Sequence, residues 1–366
     1  MLIFSAELSS ADFASLVRRA ASMRAKSTIP ILDCALLKGD GSSLSVAATN
    51  LDQAVTSTIP CDAKGSCTAS VSRLQAIAST LEKGVNVTMS VNGTGELTIK
   101  QDRARYAMPT LPVDDYPAVD EVVGAPLFAP SGDLIRSLRD LTGTVSKEQV
   151  HYYLCGVYFD TRDGSLVATN GTTLGREEST WVRANRDGFI LPSAAIRPVC
   201  DLAALGDEVS ITAGPNAASF SAKNVRLWTK YIDGQFPDWQ RVVPKECPSV
   251  WRIKRLDLSH AIRQMAVVGG GGDYGVGIKF SLGASEVTLN ASTPDISSAE
   301  CTLPCERTMG KDLTICFGSR TIGWAVDALD GDEVIEMHAV DGETAAKLTP
   351  TGTSSALRVV MPMRVK

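Results

Sequence analysis

Leu44-Ser45-Val46-Ala47-Ala48-Thr49-Asn50 and Leu166-Val167-Ala168-Thr169-Asn170-Gly171 are almost the same peptide written twice. A looser third copy reads Val287-Thr288-Leu289-Asn290-Ala291-Ser292-Thr293. Each is an alternating strand that runs into a polar turn. Repetition of this kind governs the whole chain, so the neighbours of each copy are compared next.

Before each strand lies an amphipathic helix with apolar residues at helical spacing: Phe13, Leu16, Val17 and Ala20; then Leu134, Leu138 and Leu141; then Leu258, Ile262 and Met265. After it comes a second helix, carrying Leu74, Ile77, Ala78 and Leu81; then Ile196, Val199, Cys200 and Ala203; then Ile322, Ala325, Val326 and Leu329. An alternating strand follows each time, at Val85-Asn86-Val87-Thr88-Met89, Glu208-Val209-Ser210-Ile211-Thr212 and Glu333-Val334-Ile335-Glu336-Met337, and the last two copies share Gly-Asp-Glu-Val at 206–209 and 331–334. The first two copies also end alike, with Asp115-Tyr116-Pro117 and Phe236-Pro237-Asp238-Trp239. The pattern predicts an α+β chain of three similar domains, each with two helices packed on antiparallel sheets. Pro-bearing stretches near Gly124 and Cys247 put the boundaries at 1–123, 124–246 and 247–366.

The chain has 366 residues, more than one core usually sustains. It has no apolar run long enough to span a bilayer and no basic-then-apolar leader, so neither a membrane role nor export is expected. Nine cysteines without framework spacing fit a reducing cytosol. Cys301 and Cys305 are the closest pair and lack the further ligands a metal site needs. An enzyme is disfavoured: there are only three histidines (His151, His260 and His338), no phosphate loop and no nucleophile elbow, and no cofactor is called for. Gly269-Gly270-Gly271-Gly272-Asp273-Tyr274-Gly275 contains G-x-G-x-x-G, but it follows a helix and precedes a strand, the reverse of a dinucleotide fingerprint, and reads as a flexible loop.

Charge is unevenly placed. The net charge is −5, yet the six predicted helices with their flanks (9–26, 69–83, 131–147, 193–205, 252–267 and 317–328) hold fifteen basic and seven acidic residues, a net +8, which leaves −13 elsewhere. Helices of several equivalent domains turned toward one axis would form a cationic lining that attracts phosphates without reading bases. Contact of that kind is weak and salt-sensitive, so residence on DNA would come from enclosure.

Several stretches resemble one family, the bacterial DNA sliding clamp, which is the beta subunit of DNA polymerase III. They are Thr28-Ile29-Pro30-Ile31-Leu32, His151-Tyr152-Tyr153-Leu154-Cys155-Gly156, Asp233-Gly234-Gln235-Phe236-Pro237-Asp238-Trp239 with Arg241-Val242, and Val359-Val360-Met361-Pro362-Met363-Arg364. The resemblance spans the chain and implies a ring made by a head-to-tail homodimer, a non-catalytic processivity factor that encircles double-stranded DNA in the cytoplasm. A clamp loader would open it, and the polymerase III alpha subunit, other polymerases and repair proteins would dock on it through short peptide motifs. The implied closing contact is Tyr106 and Met108 against Val267 and Val268. The implied peptide pocket comprises Leu154, Thr169, Gly171, Leu174, Pro237, Arg241, Val242, Val360, Met361, Pro362, Met363 and Arg364. Implied DNA contacts are Lys26, Arg73, Gln149, Tyr152, Tyr153 and Arg197, to which the charge count adds Arg24 and Lys147 along with Arg18, Arg19, Arg136, Arg139 and Arg263. One departure stands out: the family writes Asp-Gly-His-Arg-Leu where this chain has Asn170-Gly171-Thr172-Thr173-Leu174, which removes a basic side chain from the pocket. A duplicate or mobile-element clamp with altered partner specificity is the alternative reading.

Overall fold

The structure is a computed structural model; it describes residues 3–24, 28–93, 95–269, 272–293, 298–329, 331, 333–352 and 355–363. Lys26 and Arg364, and Gly270 and Gly271 of the expected loop, lie outside the described residues.

One order of elements recurs three times. The first repeat is β1 (Phe4–Ser9), α1 (Ser10–Ala21), β2 (Cys34–Asp40), β3 (Ser43–Thr49), β4 (Gln53–Pro60), β5 (Ala63–Ser70), α2 (Val71–Ala78), β6 (Asn86–Val91), β7 (Glu96–Gln101) and β8 (Ala104–Pro109). The second is β9 (Pro126–Pro130), α3 (Ser131–Thr142), β10 (Gly156–Asp160), β11 (Ser165–Thr169), β12 (Thr173–Glu178), β13 (Phe189–Pro192), α4 (Ser193–Ala203), β14 (Glu208–Ala213), β15 (Ala217–Ala222) and β16 (Val225–Lys230). The third is β17 (Ser249–Lys254), α5 (Arg255–Ala266), β18 (Gly277–Leu282), β19 (Glu286–Ser292), β20 (Ser298–Met309), β21 (Leu313–Gly318), α6 (Ser319–Asp327), β22 (Val334–Ala339), β23 (Ala346–Pro350) and β24 (Leu357–Val360).

These elements pack as two compact units, Met1–Ile135 with Ala194–Tyr231 and Arg136–Ser193 with Ile232–Lys366, so the middle repeat is shared between them. The reason lies in the sheets. In the first unit the strand order is β8-β7-β6-β1-β5-β2-β3-β4-β16-β15-β14-β9, and in the second it is β13-β10-β11-β12-β24-β23-β22-β17-β20-β19-β18-β21. Strands of the middle repeat therefore complete a neighbour's sheet twice, at β4–β16 (Ala54 opposite Trp228) and at β12–β24 (Leu174 opposite Val359). All these pairings are antiparallel.

The helices form where the spacing placed them. Phe13, Leu16, Val17 and Ala20 of α1 are buried, as are Leu134, Leu138 and Leu141 of α3 and Leu258, Ile262 and Met265 of α5. Full burial of such side chains stabilises by about 1.5–3 kcal/mol each. α1 packs on α2, and α5 on α6. Ser9 caps α1, its Oγ accepting from the Asp12 amide at 3.0 Å, and so satisfies a donor left open at the helix start. The third repeat closes over a core that includes Trp251, Phe280, Phe317, Ile322 and Met337.

The repeated peptide folds into a repeated turn. In the first copy Thr49 Oγ1 donates to the Gln53 carbonyl (2.9 Å), Asn50 Oδ1 accepts from the Gln53 amide (2.7 Å), and Leu51 adopts φ +75°. In the second, Thr169 Oγ1 donates to the Thr173 carbonyl (2.7 Å), Asn170 Oδ1 accepts from the Thr173 amide (2.8 Å), and Gly171 adopts φ +89°. Each turn then receives a backbone bond from the strand that follows its sheet junction: Lys230 N to Asp52 O, and Met361 N to Thr172 O, both 2.9 Å.

Candidate functional site

The β12–β24 junction builds an apolar groove in the second unit. Leu154, Val167, Leu174, Ile190, Phe236, Trp239 and Val359 form one buried cluster, with Tyr153, Tyr158 and Val243 packed on its margin. Polar contacts hold its aromatic members. Trp239 Nε1 donates to Asp160 Oδ2 at 3.0 Å, the Arg176 guanidinium lies 5.7 Å from the Trp239 ring centroid, and Tyr158 stacks on Phe236 at 4.9 Å. Arg176 is itself fixed by Asp163 at 2.9 Å. Burial raises the Asp163 carboxyl, but hydrogen bonds from Ser165 and Arg176, together with the Arg176 and Arg183 charges, outweigh it and hold the group below its ordinary value.

Around this cluster the sequence-predicted residues take distinct places. Gly171, Pro237, Arg241, Val242 and Met361 are exposed, Thr169, Pro362 and Met363 are half-buried, and Leu154 and Leu174 lie inside the cluster. Val360 has no exposed surface: it faces the third-repeat core, and its part at the groove is the backbone pairing with Thr173. Arg241 pairs with Asp238 at 2.8 Å. Phe236, Trp239, Val359 and Tyr158 were not expected as lining. The two aromatics three apart in Phe236-Pro237-Asp238-Trp239 were the signal for two of them. Where the family carries His-Arg, the hydroxyls of Thr172 and Thr173 both donate to Asn170 Oδ1 at 3.0 Å, so the turn is rigid and uncharged.

The cationic candidates are solvent-facing in each unit. In the first unit Arg18, Arg24, Arg73 and Arg197 are exposed, with Arg24 paired to Asp33 (3.2 Å) and Arg197 near Asp201 (3.9 Å). In the second, Arg136, Arg139, Lys147, Gln149 and Tyr152 are exposed, and Arg263 is held by Asp327 at 3.1 Å. Tyr153 is half-buried, edge-on to Tyr152 at 5.7 Å. Gly234 gives this pair room, because a Cβ there would stand 3.0 Å from Tyr153 Cβ. The helices are shorter than the sequence pattern predicted, and their own residues hold nine basic and six acidic side chains. The positive excess thus lies mainly at helix ends and flanks, in residues such as Arg24 and Lys147.

Four strands end the two sheets, β8, β9, β13 and β21, and β20 is open on one side over part of its length. β8 pairs only with β7, and Ser298–Pro304 of β20 pair only with β19 among the described residues. On the inner side of β8, Met108 is 2% exposed and Tyr106 is half-buried, its hydroxyl 3.1 Å from Thr80 Oγ1. Met108 is therefore a core residue of its own repeat. Val267 is 84% exposed, and Val268 packs on the third-repeat core. Exposed charges near these two edges differ in sign: Lys100 on β7 with Arg103 and Arg105, and Asp102 between them, against Glu286 on β19 and Glu300 on β20. Among the described residues no group of His, Cys, Asp and Glu converges as a metal site, and no helix is long and apolar enough to cross a membrane.

The chain matches the family models for the DNA polymerase III beta subunit along its length: the N-terminal domain over residues 8–120, the central domain over 130–238 and the C-terminal domain over 240–364. It is 26% identical over 351 residues to the beta sliding clamp of Pseudomonas aeruginosa, covering 93% of this chain and 94% of that one. To the beta sliding clamp of Escherichia coli K12 it is 24% identical over 354 residues, covering 92% and 93%. Among solved structures, a sliding clamp of Bartonella birtlesii bound to griselimycin is 25% identical with a TM-score of 0.90, covering 99% of this chain and 100% of that one. The Pseudomonas aeruginosa clamp with a ligand shares the fold at a TM-score of 0.92 and 24% identity, with the same coverage. Three clamp domains in order, on a fold of repeated antiparallel sheets and paired helices, lead to one conclusion: this chain belongs to the DNA polymerase III beta-subunit family, the non-catalytic sliding clamps of DNA replication.

Proposed function

We propose that two copies of this chain close head to tail into a ring around duplex DNA and tether the replicative polymerase to it. The observation that carries this reading is the opposite charge near two open edges, β8 and the first part of β20. β8 is unpaired on one side with Lys100, Arg103 and Arg105 near it, and Ser298–Pro304 of β20 is unpaired on one side with Glu286 and Glu300 near it. A strand of one copy laid on the other's edge satisfies both rows of backbone groups. It also places cations against anions. Such a heterologous contact closes when repetition completes a circle.

On this reading the domains run 1–123, 124–246 and 247–366. The exposed cations Arg24, Arg73, Lys147 and Arg197, with Lys26, Gln149, Tyr152 and Tyr153, contact the phosphate backbone without reading sequence. The groove at β12–β24 takes short apolar peptides of the polymerase III alpha subunit, the clamp loader and other polymerases and repair proteins. Gly171, Pro237, Arg241, Val242 and Met361 to Met363 form its rim, and Leu154 and Leu174 its floor. Exposed Met361 suits several partners, since its thioether adapts to different shapes. The protein works in the cytoplasm. A duplicate clamp serving a different polymerase finds no support in the comparisons.

The test is topological. After loading by a clamp loader, the protein should remain on closed circular DNA through a high-salt wash and be lost once the circle is linearised. Equal loss from both forms would refute tethering by enclosure.

A further inference from the structure

We propose that the junction between the first and second repeats is the hinge of the chain, and that the junction between the second and third is its rigid counterpart. In the ring proposed above, the chain then bends at the first junction as the closing contact parts, a consequence that rests on that reading.

Internal repetition matches the two junctions residue for residue. α4 and α6 begin at Ser193 and Ser319, so Pro198 and Trp324 are each the sixth residue of their helix. Ser22 and Gly143 directly follow α1 and α3. In the sheets Leu227 stands opposite Val55 as Arg358 stands opposite Gly175, and two positions further along β4 and β12 come Ser57 and Glu177.

The second junction is filled and tied in its helix layer. The Trp324 ring lies against Gly143 and Gly175, its Nε1 donates across the repeats to the Asp140 carbonyl at 2.9 Å, and the buried Arg358–Glu177 pair stands beside it. The matching groups of the first junction make no such ties. A cavity of about 50 Å³ remains there, lined by Ser22, Val55, Pro198, Leu202, Val225 and Leu227 among others. The Arg19 carbonyl, counterpart of the Asp140 carbonyl, accepts from Ser22 Oγ at 2.7 Å, a bond within its own helix end. Buried Ser57 takes the place of Glu177, its hydroxyl without a hydrogen bond among the described residues. Pro198 has no N–H to give the Ala194 carbonyl, which leaves α4 one helical bond short. Atoms around an unfilled space forgo contacts on that side, so this layer yields at low cost.

The sheet layer of the first junction is firm by contrast. Gln53–Ser57 pair with Val225–Thr229, and the ladder is extended by Thr58 N to Asn224 O and by Lys230 N to Asp52 O, both 2.9 Å. Lys230 Nζ also pairs with Asp52 at 3.0 Å. A firm ladder beside a yielding layer is a hinge: β4 and β16 set the axis, and the helices beside the cavity part or close.

Spin-label distance distributions in the intact protein test this, with labels carried on non-natural residues because the chain has nine cysteines. Exposed Arg18 and Ala194 span the first junction, and their counterparts Arg139 and Arg320 span the second. The first pair should give the broader distribution; equal widths, or a broader second, would overturn the hinge. Trp324→Ala should broaden the second pair, and no change there would overturn the lock. Pro198→Met, which fills the cavity and restores the helical bond, should narrow the first pair, and an unchanged width would overturn the cavity as the source of motion. Circular dichroism shows that each variant is folded. Sedimentation reads the ring separately: a monomer with a broad first junction would sink the ring reading and leave the hinge standing.

Discussion

Arg358 of β24, with no exposed surface, forms a buried ion pair with Glu177 of β12 across the junction between the second and third repeats. The same guanidinium donates to the carbonyls of Ala328 and Arg176, and it lies 5.7 Å from the Trp324 ring centroid. Removing one partner of a buried pair strands the other charge, at a cost of about 3–5 kcal/mol. Arg358→Met should therefore lower the melting temperature sharply and loosen the peptide groove. Adding Glu177→Leu should restore part of the loss. Calorimetry of the single and double variants decides it, and additive losses would show that the two side chains are independent.

Trp324 enters a slot made by two glycines. A Cβ on Gly143 would stand 2.1 Å from its Cδ1, and one on Gly175 would stand 2.6 Å from Leu141 Cδ2 and 3.2 Å from the Trp324 ring. Its Nε1 donates to the Asp140 carbonyl at 2.9 Å. Gly175→Ala should destabilise by about 1–3 kcal/mol through overpacking, read as a lower denaturant midpoint. An unchanged midpoint would mean the slot yields.

The matched turns hold Leu51 and Gly171 in the left-handed region. A non-glycine residue there bears strain of order 1 kcal/mol, partly offset by the greater freedom of glycine in the unfolded chain. Leu51→Gly should leave stability equal or slightly higher, and Gly171→Leu should reduce it by about 1 kcal/mol. Thermal melts of the two variants should move in opposite directions or differ by that margin; equal shifts would contradict the shared geometry.

Ring closure should respond to charge exchange at the open edges. Arg105→Glu and Glu300→Arg should each weaken the dimer in sedimentation at low salt, and the double variant should recover it. A double variant as weak as either single one would remove the charge pairing from the interface. Val267→Asp is the apolar probe of the same contact. A substitution at buried Met108 would report on folding instead.

The threefold plan was legible because each helix stripe and strand alternation is a local pattern, and Phe13, Leu138 and Met265 point inward as their spacing required. The groove was less so. Leu174 and Val359 meet because β12 pairs with β24, and strand pairing between distant segments leaves no periodic trace in the chain. Val360 and Met108 show the limit of carrying residues over one by one: on a strand, adjacent positions face opposite sides, and both turn into a core. The helix charge count was diluted for another reason. Its excess belonged largely to flanks such as Arg24 and Lys147, beyond the helix termini.

The place of β24 in the sheet has a consequence for synthesis. Its residues Leu357–Val360 are the neighbours that β12 requires, yet they follow it in the chain only after a whole further repeat. Until then a growing chain displays β12 as a raw strand edge, able to capture any passing segment in search of a partner. A chain interrupted before β24 would thus be not a slightly smaller protein but a sticky one, and its removal would fall to proteases and chaperones.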